Sequence, residues 1–170
     1  MDLGAIRTET GRMGVTIRSV AAADREDVRD MLAACGLFSA EEMQVALEMM
    51  DSGLNGEYSL VGAERDGRLR GYACVGKAAL TLSSWYLYWI CVHPDAQRAG
   101  VGRLLQEHIE EVVRDSGGDR LVLETSGRRD YERTRRFYDR AGFAPVGRIP
   151  DFYKPGDDCV IYVKPLEAVA

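Results

Sequence analysis

Gly100 and Gly102 lie on either side of Val101, with Gln97 and Arg98 just before them and Arg103 just after, in the run VHPDAQRAGVGRLL. Ahead of that run comes YLYWICV, apolar and aromatic. Within and after it, apolar residues fall at Val101, Leu104, Leu105, Ile109, Val112 and Val113, which is helical spacing. The glycines therefore stand where a strand gives way to a helix. The first N–H groups of a helix have no partner within it, and the helix dipole adds positive potential there. Such an end holds anions. A glycine has no Cβ, so a phosphate can approach its main chain closely. Arg98 and Arg103 add positive charge, while Pro94 and Asp95 shape the turn.

Several phosphate motifs compete for this stretch. A P-loop needs Lys and then Ser or Thr after its second glycine, and neither follows Gly102. A dinucleotide fingerprint needs a third small residue where Leu105 stands, although Glu124 lies roughly where a ribose-binding acid would. A Gly-x-Gly pair at a helix start can also do no more than ease a tight turn.

The elements that must position these residues can be read in order. VTIRSV (15–20) alternates apolar and polar residues as a first strand. Asp24 is placed to cap a helix bearing Val28, Met31, Leu32 and Cys35 and stopped by Gly36. Ser39 and Glu42 have capping-box spacing before a helix with Met43, Leu47 and Met50. Those methionines read as core packing, with an adaptable substrate surface as the alternative. Asp66-Gly67 between two β-rich runs marks a type I′ hairpin. A strand over 85–92, the glycine helix, a buried strand over 120–126 and a helix in YERTRRFYDRAG, ended by Gly142, come next. FAPVGRI and CVIYVKPL close the chain as strands, with PDFYKPGDD between them as a loop. Antiparallel strands leading into a β-α-β unit predict a mixed α/β fold, a sheet with helices packed on it.

Bulk properties narrow the class. The chain has 170 residues, 46% hydrophobic and 29% charged, as expected of one globular domain. A net charge of −5 speaks against a generally basic nucleic-acid surface and mildly favours a cationic partner. Cys35, Cys74, Cys91 and Cys159 form no C-x-x-C pair, so buried thiols in a reducing compartment are expected, without metal or disulfides. No apolar run is long enough to cross a membrane, and the first residues lack a signal-peptide core. The expectation is a cytoplasmic protein with a flexible tail over 1–14, one domain over 15–166 and a short tail over 167–170. His93, in a turn before Pro94, and His108, on the glycine helix, read as structural.

The full string V-H-P-x-x-Q-R-x-G-V-G-x-x-L-L resembles the pyrophosphate-binding motif of the GNAT acetyltransferase superfamily, whose Q/R-x-x-G-x-G/A pattern fits Gln97, Gly100 and Gly102. Downstream, RRFYDRAGF (135–143) resembles that family's helix ending in a tyrosine and an AGF turn, and the element order matches over about 15–165. The resemblance implies a mostly antiparallel sheet of about seven strands, splayed in the middle, with about four helices. It implies acetyl-coenzyme A as cosubstrate, entering the gap beside the strand that holds Glu124. The pantetheine arm would pair with the edge from Trp89 to Val92, notably Ile90 and Val92. A backbone N–H near Val92 would polarise the thioester carbonyl. Main-chain groups of Arg98, Ala99, Gly100, Val101, Gly102 and Arg103 would cradle the diphosphate.

Acetyl transfer to an amine must deprotonate that amine, whose pKa is about 10.4 for lysine and about 8 for an α-amine, and must stabilise a departing thiolate. The resemblance makes Tyr138 the acid that protonates the coenzyme sulfur. By the same resemblance Glu124 is the base, acting through water, with burial among apolar neighbours expected to raise its pKa. A carboxylate paired with a nearby arginine remains the alternative reading of Glu124, and Tyr88 is the reserve base. The family's pantetheine-binding asparagine is missing from RRDYERTRR, leaving Tyr131 or Arg135 to replace it. That basic run would meet the 3′-phosphate of coenzyme A or stand solvated. Trp85, Tyr86, Tyr153, Asp151, Asp157 and Asp158 are acceptor-side candidates, since aromatic and acidic groups suit an amine. The expected acceptor is a primary amine of a small molecule or peptide, with a homodimer possible and no nucleic acid or membrane partner. A coenzyme A-binding sensor without turnover is the alternative.

Overall fold

A computed structural model describes residues 9–10 and 14–167. The strands are β1 (Glu9–Thr10), β2 (Val15–Ser19), β3 (Ser59–Arg65), β4 (Arg68–Lys77), β5 (Ser84–Val92), β6 (Arg120–Ser126), β7 (Ala144–Lys154) and β8 (Asp157–Pro165). The helices are α1 (Arg25–Cys35), α2 (Ala40–Leu54), α3 (Val101–Asp115) and α4 (Glu132–Arg140). The strands form one sheet in the order β1-β2-β3-β4-β5-β6-β8-β7. Only β5 and β6 run parallel; every other neighbouring pair is antiparallel.

Two apolar layers hold helices to the sheet. On one face, α3 buries Val101, Leu105, Ile109, Val112 and Val113 against Val61, Ala73, Leu87 and Leu121. On the other, α1 and α2 bury Val28, Met31, Leu32, Leu47 and Met50 against Leu60, Leu69 and Tyr72. Met31 and Met50 are thus core, and Met43 and Met49 pack partly buried against it. The strong amphipathicity of these helices, not their length, secures them, since their apolar stripes find a sheet to cover.

Local signals account for the connections. Asp66 (φ 54°) and Gly67 (φ 73°) both take positive φ, as a type I′ turn between β3 and β4 requires. Ser39 Oγ accepts from the Glu42 N–H at 3.2 Å and the Glu42 carboxylate accepts in turn from the Ser39 N–H at 2.7 Å, capping α2. Asp24 does not cap α1 with its side chain. Its carboxylate accepts from the Ala21 N–H at 2.8 Å and from Arg18 at 2.7 and 2.8 Å, fixing the turn ahead of the helix.

Two further readings change. Within the stretch expected as a tail, Glu9–Thr10 pair with Ile17 and Thr16, because β2 otherwise leaves an open edge; the rest of 1–13 lies outside the described residues. The loop expected at PDFYKPGDD is mostly strand. β7 runs through Phe152 and Tyr153, and only Pro155 and Gly156 separate it from β8. A register shift between Ile149 and Lys154 absorbs Pro150 and the positive φ of Asp151. Proline and left-handed residues suggest a loop, but an edge strand with a bulge accommodates both.

Candidate active site

The site begins where β5 and β6 part. They are in register only from Ser84 to Tyr86, opposite Arg120 to Val122. Beyond this, Tyr88 has no partner on β4, since Leu87 faces Val75 and Trp89 faces Cys74. That bulge bends β5 away from β6. The His93 N–H donates to the Arg70 carbonyl at 2.8 Å. Alternation back along the antiparallel pair turns the main-chain groups of Cys91 and Trp89 toward β4 and those of Val92 and Ile90 toward the gap. The Val92 carbonyl is taken by Gln97 Nε2 at 3.0 Å, so Gln97 braces the loop against the strand end.

From β5 the chain makes a short 3-10 turn, Pro94–Ala96, and enters α3 through Gly100, whose φ of 75° favours glycine. The N–H groups of Arg98, Gly100, Val101, Gly102 and Arg103 have no hydrogen-bond partner among the described residues. Ala99 differs from expectation: its N–H is spent on the Ala96 carbonyl at 3.2 Å. Gly102 answers to a second demand as well. A Cβ there would meet the Phe137 ring at 3.3 Å and Val92 at 3.6 Å, so its lack of a side chain lets α3 and α4 close together. Val101 is fully buried and presents only main chain to the loop.

One cavity of about 940 Å³ joins these parts. Gly100, Gly102 and Arg103 line one end, while Tyr86, Tyr88, Glu124 and Tyr153 line the other, with Tyr138 also on its wall. Tyr138 is 6% exposed and packs on Phe137, Phe143 and Tyr162, with ring centroids 5.5–5.8 Å apart. Burial pushes its phenol pKa well above the ordinary tyrosine value.

Glu124 is exposed in the cleft, not buried among apolar neighbours as the sequence suggested. A buried strand was expected, but the gap beside β5 leaves this position open. Among the described residues no arginine pairs with it either. The Tyr86 hydroxyl donates to Glu124 Oε1 at 3.2 Å. Burial, and then the charge of Glu124, raise the Tyr86 pKa. Tyr88 stacks on Tyr86 at 5.5 Å and tilts against Tyr58 at 5.0 Å.

The other candidates divide. Trp85 is 3% exposed and belongs to the core under α3. Asp158 pairs with Arg148 and accepts from the Asp151 N–H, while Asp151 accepts from the Gly156 N–H. These two carboxylates shape the β7–β8 hairpin and do not line the cavity. Asp157 does line it, but is buried and held by the Ser126 hydroxyl and, at 3.6 Å, by Arg128. Arg135 donates to the Ser126 and Arg128 carbonyls, tying the end of β6 to the start of α4. Tyr131 lines the cavity, and burial pushes its pKa up to about 12. His93 Nδ1 accepts from the Asp95 N–H as a turn cap. His108 is buried on α3 away from the cavity.

Sequence reasoning missed two wall residues on the other side of the β5 edge, Cys35 and Phe38. Phe38 tilts against Trp89 with ring centroids 5.0 Å apart, and Cys35 lies with its Sγ 3.2 Å from that of Cys91. Nothing in their spacing pointed to the cavity, because the contacts cross from the end of α1 to β5. Among the described residues no group of three His, Cys, Asp or Glu is placed to hold a metal, and no helix is long and apolar enough to cross a membrane.

This architecture recurs in known proteins. A GNAT-family chain from Desulfovibrio desulfuricans superposes with a TM-score of 0.86 at 40% identity, over 90% of this chain and 99% of that one. The 5-NmdU N-acetyltransferase of Pseudomonas phage PaMx11 is 35% identical over 85 residues, half of this chain and 56% of the phage enzyme's own length. The fold is also shared with yncA of Salmonella typhimurium, solved with acetyl-CoA, at a TM-score of 0.71 and 19% identity over 92% and 96% of the two chains. Residues 25–143 match the model of the acetyltransferase (GNAT) family, and the protein belongs to that family.

Proposed function

We propose that the protein transfers an acetyl group from acetyl-coenzyme A to a primary amine of a small molecule or peptide, by direct attack in a ternary complex. The observation that carries this is the parting of β5 from β6, which leads a main-chain edge with open N–H groups at Ile90 and Val92 onto the open N–H groups of α3. A phosphate-bearing chain fits that path, since the edge offers strand-like pairing and the helix end offers donors and dipole. The name of the phage relative, an N-acetyltransferase, and the acetyl-CoA in a fold neighbour favour the same reading. Four free cysteines suit a reducing cytoplasm.

In this mechanism the N–H of Val92 or Ile90 donates to the thioester oxygen as negative charge grows there. Glu124, through water, takes a proton from the acceptor ammonium so that the free amine can attack, and Tyr86 orients that carboxylate through its hydroxyl; the second amine proton, shed once the C–N bond exists, restores the Tyr138 hydroxyl. The new C–N bond forms as the C–S bond breaks. Tyr138 gives its proton to the leaving sulfur. Its raised pKa keeps that proton in place across the neutral range.

Thiol release from acetyl-coenzyme A, followed across a panel of amines, tests the proposal. Calorimetric binding of the donor with amine-dependent thiol release is the expected result. Donor binding with no release on any amine would instead identify a coenzyme A sensor.

A further inference from the structure

We infer that the acceptor is a monoamine carried on a flat or apolar body, and not a polycation such as a polyamine or aminoglycoside. This rests on the proposed amine acetylation and concerns the charge inventory of the cavity. Glu42, Glu124, Asp130 and Asp157 are the carboxylates on its wall. Glu42 is engaged by the Ser39 N–H at the start of α2. Asp130 is paired with Arg128 at 2.8 Å. Asp157 is buried under Ser126 and Arg128. At the Tyr86–Tyr153 end of the cavity Glu124 is the one carboxylate opposed by no cation or backbone donor among the described residues; the neutral Tyr86 hydroxyl donates to it and the Cys159 thiol lies beside it. One free carboxylate matches one ammonium. A second or third ammonium would meet Arg128 or Arg133 or lie desolvated without a partner.

What surrounds Glu124 is aromatic. Tyr86 and Tyr88 lie nearly parallel, 25° apart, and Tyr88 is 37% exposed. Tyr153 lines the same cavity, its phenol pKa raised by burial and by donation to Cys159 Sγ. Flat faces beside one anion suit a cation attached to a ring or a short apolar chain. The test compares phenethylamine, n-butylamine, spermidine and kanamycin, with rates corrected for free-base fraction. Expected are the highest kcat/KM for phenethylamine and a loss of roughly three- to tenfold in Tyr88→Ala that is confined to it. A preference for spermidine or kanamycin overturns the inference, as does a Tyr88→Ala variant that affects n-butylamine equally. Calorimetry of the four amines against the coenzyme A complex judges the pocket without turnover. If acetyl transfer itself fails, phenethylamine binding in preference to spermidine still supports the pocket assignment, and the reverse order overturns it.

A separate observation carries a second inference: we propose that Cys35 and Cys91 form a site of oxidation by hydroperoxides. Their sulfurs are 3.2 Å apart on the cavity wall, and Cys35 Sγ also points at the Val92 carbonyl, 3.6 Å away. Cys35, at the end of α1, is partly exposed, and Cys91 lies behind it. The bond from Cys91 holds the Cys35 thiol below its ordinary pKa. The Cys35 thiolate attacks hydrogen peroxide, breaking the O–O bond and leaving a sulfenic acid plus hydroxide, which solvent protonates to water. Cys91 then displaces the sulfenic oxygen as a second water, forming the S–S bond, so two thiols are oxidised and one peroxide reduced. The sulfurs must close by about 1 Å to reach a disulfide length, drawing α1 onto the strand edge that faces the cleft. Dilute hydrogen peroxide should lower the titratable thiols from four to two, yield a 35–91 linked peptide, and weaken acetyl-coenzyme A binding until dithiothreitol is added. Four surviving thiols, or the same two-thiol loss in Cys35→Ser, overturns it.

Discussion

At the scale of single residues, Tyr138 and Glu124 have opposite surroundings, and the difference matters more than either alone. Tyr138 is enclosed by Phe137, Phe143 and Tyr162, where an anionic phenolate would be poorly solvated. Its pKa is raised by burial, so as pH climbs the acid form persists beyond the ordinary tyrosine value of about 10. With Tyr138 as the acid, kcat should show no falling limb below about pH 10. Tyr138→Phe should lower kcat by roughly 10²- to 10⁴-fold with acetyl-coenzyme A affinity unchanged by calorimetry. An unaltered kcat would remove Tyr138 from the chemistry. Glu124, by contrast, faces the cleft and accepts from Tyr86. Glu124→Gln should lower kcat by roughly 10²- to 10⁴-fold, whereas Tyr86→Phe should lose only part of the rate, because it removes the hydroxyl that aims the carboxylate. An unaltered kcat in Glu124→Gln would assign the base to another group.

At the scale of elements, the start of α3 depends on one backbone conformation. Gly100 sits at φ 75°, where any side chain costs about 1–2 kcal/mol. Gly100→Ala should therefore raise KM for acetyl-coenzyme A by about tenfold or more, since the strain is relieved by turning the free N–H groups off their common direction. Equal KM in variant and parent would mean the loop is not the anion site. This helix start was legible in the sequence because glycine spacing, the apolar run before it and the stripe after it all report local geometry. The hairpin at Asp66-Gly67 and the capping box at Ser39 were legible for the same reason. The exposure of Glu124 was not, because it depends on the bulge at Tyr88, and a bulge is set by pairing with a distant strand. The Cys35–Cys91 contact and the extension of β7 through Phe152 are likewise set by neighbours far along the chain. Asp24 shows how one signal can serve another end. It looks like a helix cap, yet its carboxylate joins Arg18, which also holds Glu64 of β3. The bond from Arg18, above all, depresses the Asp24 pKa. The stabilisation is therefore full above its unfolded value of about 3.9 and is lost as pH falls through the lower folded value. Asp24→Asn should cost about 1.5–3 kcal/mol at pH 7 by denaturant titration, the range for a hydrogen bond to a charged group, and the gap to the parent should narrow in acid.

At the scale of the whole molecule, the sheet is two blocks that share one core but pair their main chains over only a short stretch. β1 to β5 carry α1, α2 and most of α3, whereas β6 to β8 carry α4, and across the junction only Ser84 to Tyr86 keep register. A ligand lying in the gap would pair with β5 on one side and contact α4 on the other, so its binding energy should appear as stability of the joined molecule. At a donor concentration of 100 times Kd, linkage supplies about 2.7 kcal/mol. For a chain of this size each kcal/mol raises Tm by about 2–4 °C, giving an expected rise of about 5–10 °C with acetyl-coenzyme A. Hydrogen exchange should localise the effect. The amides of Ile90 and Val92, which face the gap, should gain protection, while those of Trp89 and Cys91, already bonded to β4, should change little. A Tm that stays fixed at saturating donor would mean that nothing bridges the blocks. A rise without protection at Ile90 and Val92 would move the ligand to another surface, and with it the chemistry assigned to Tyr138 and Glu124.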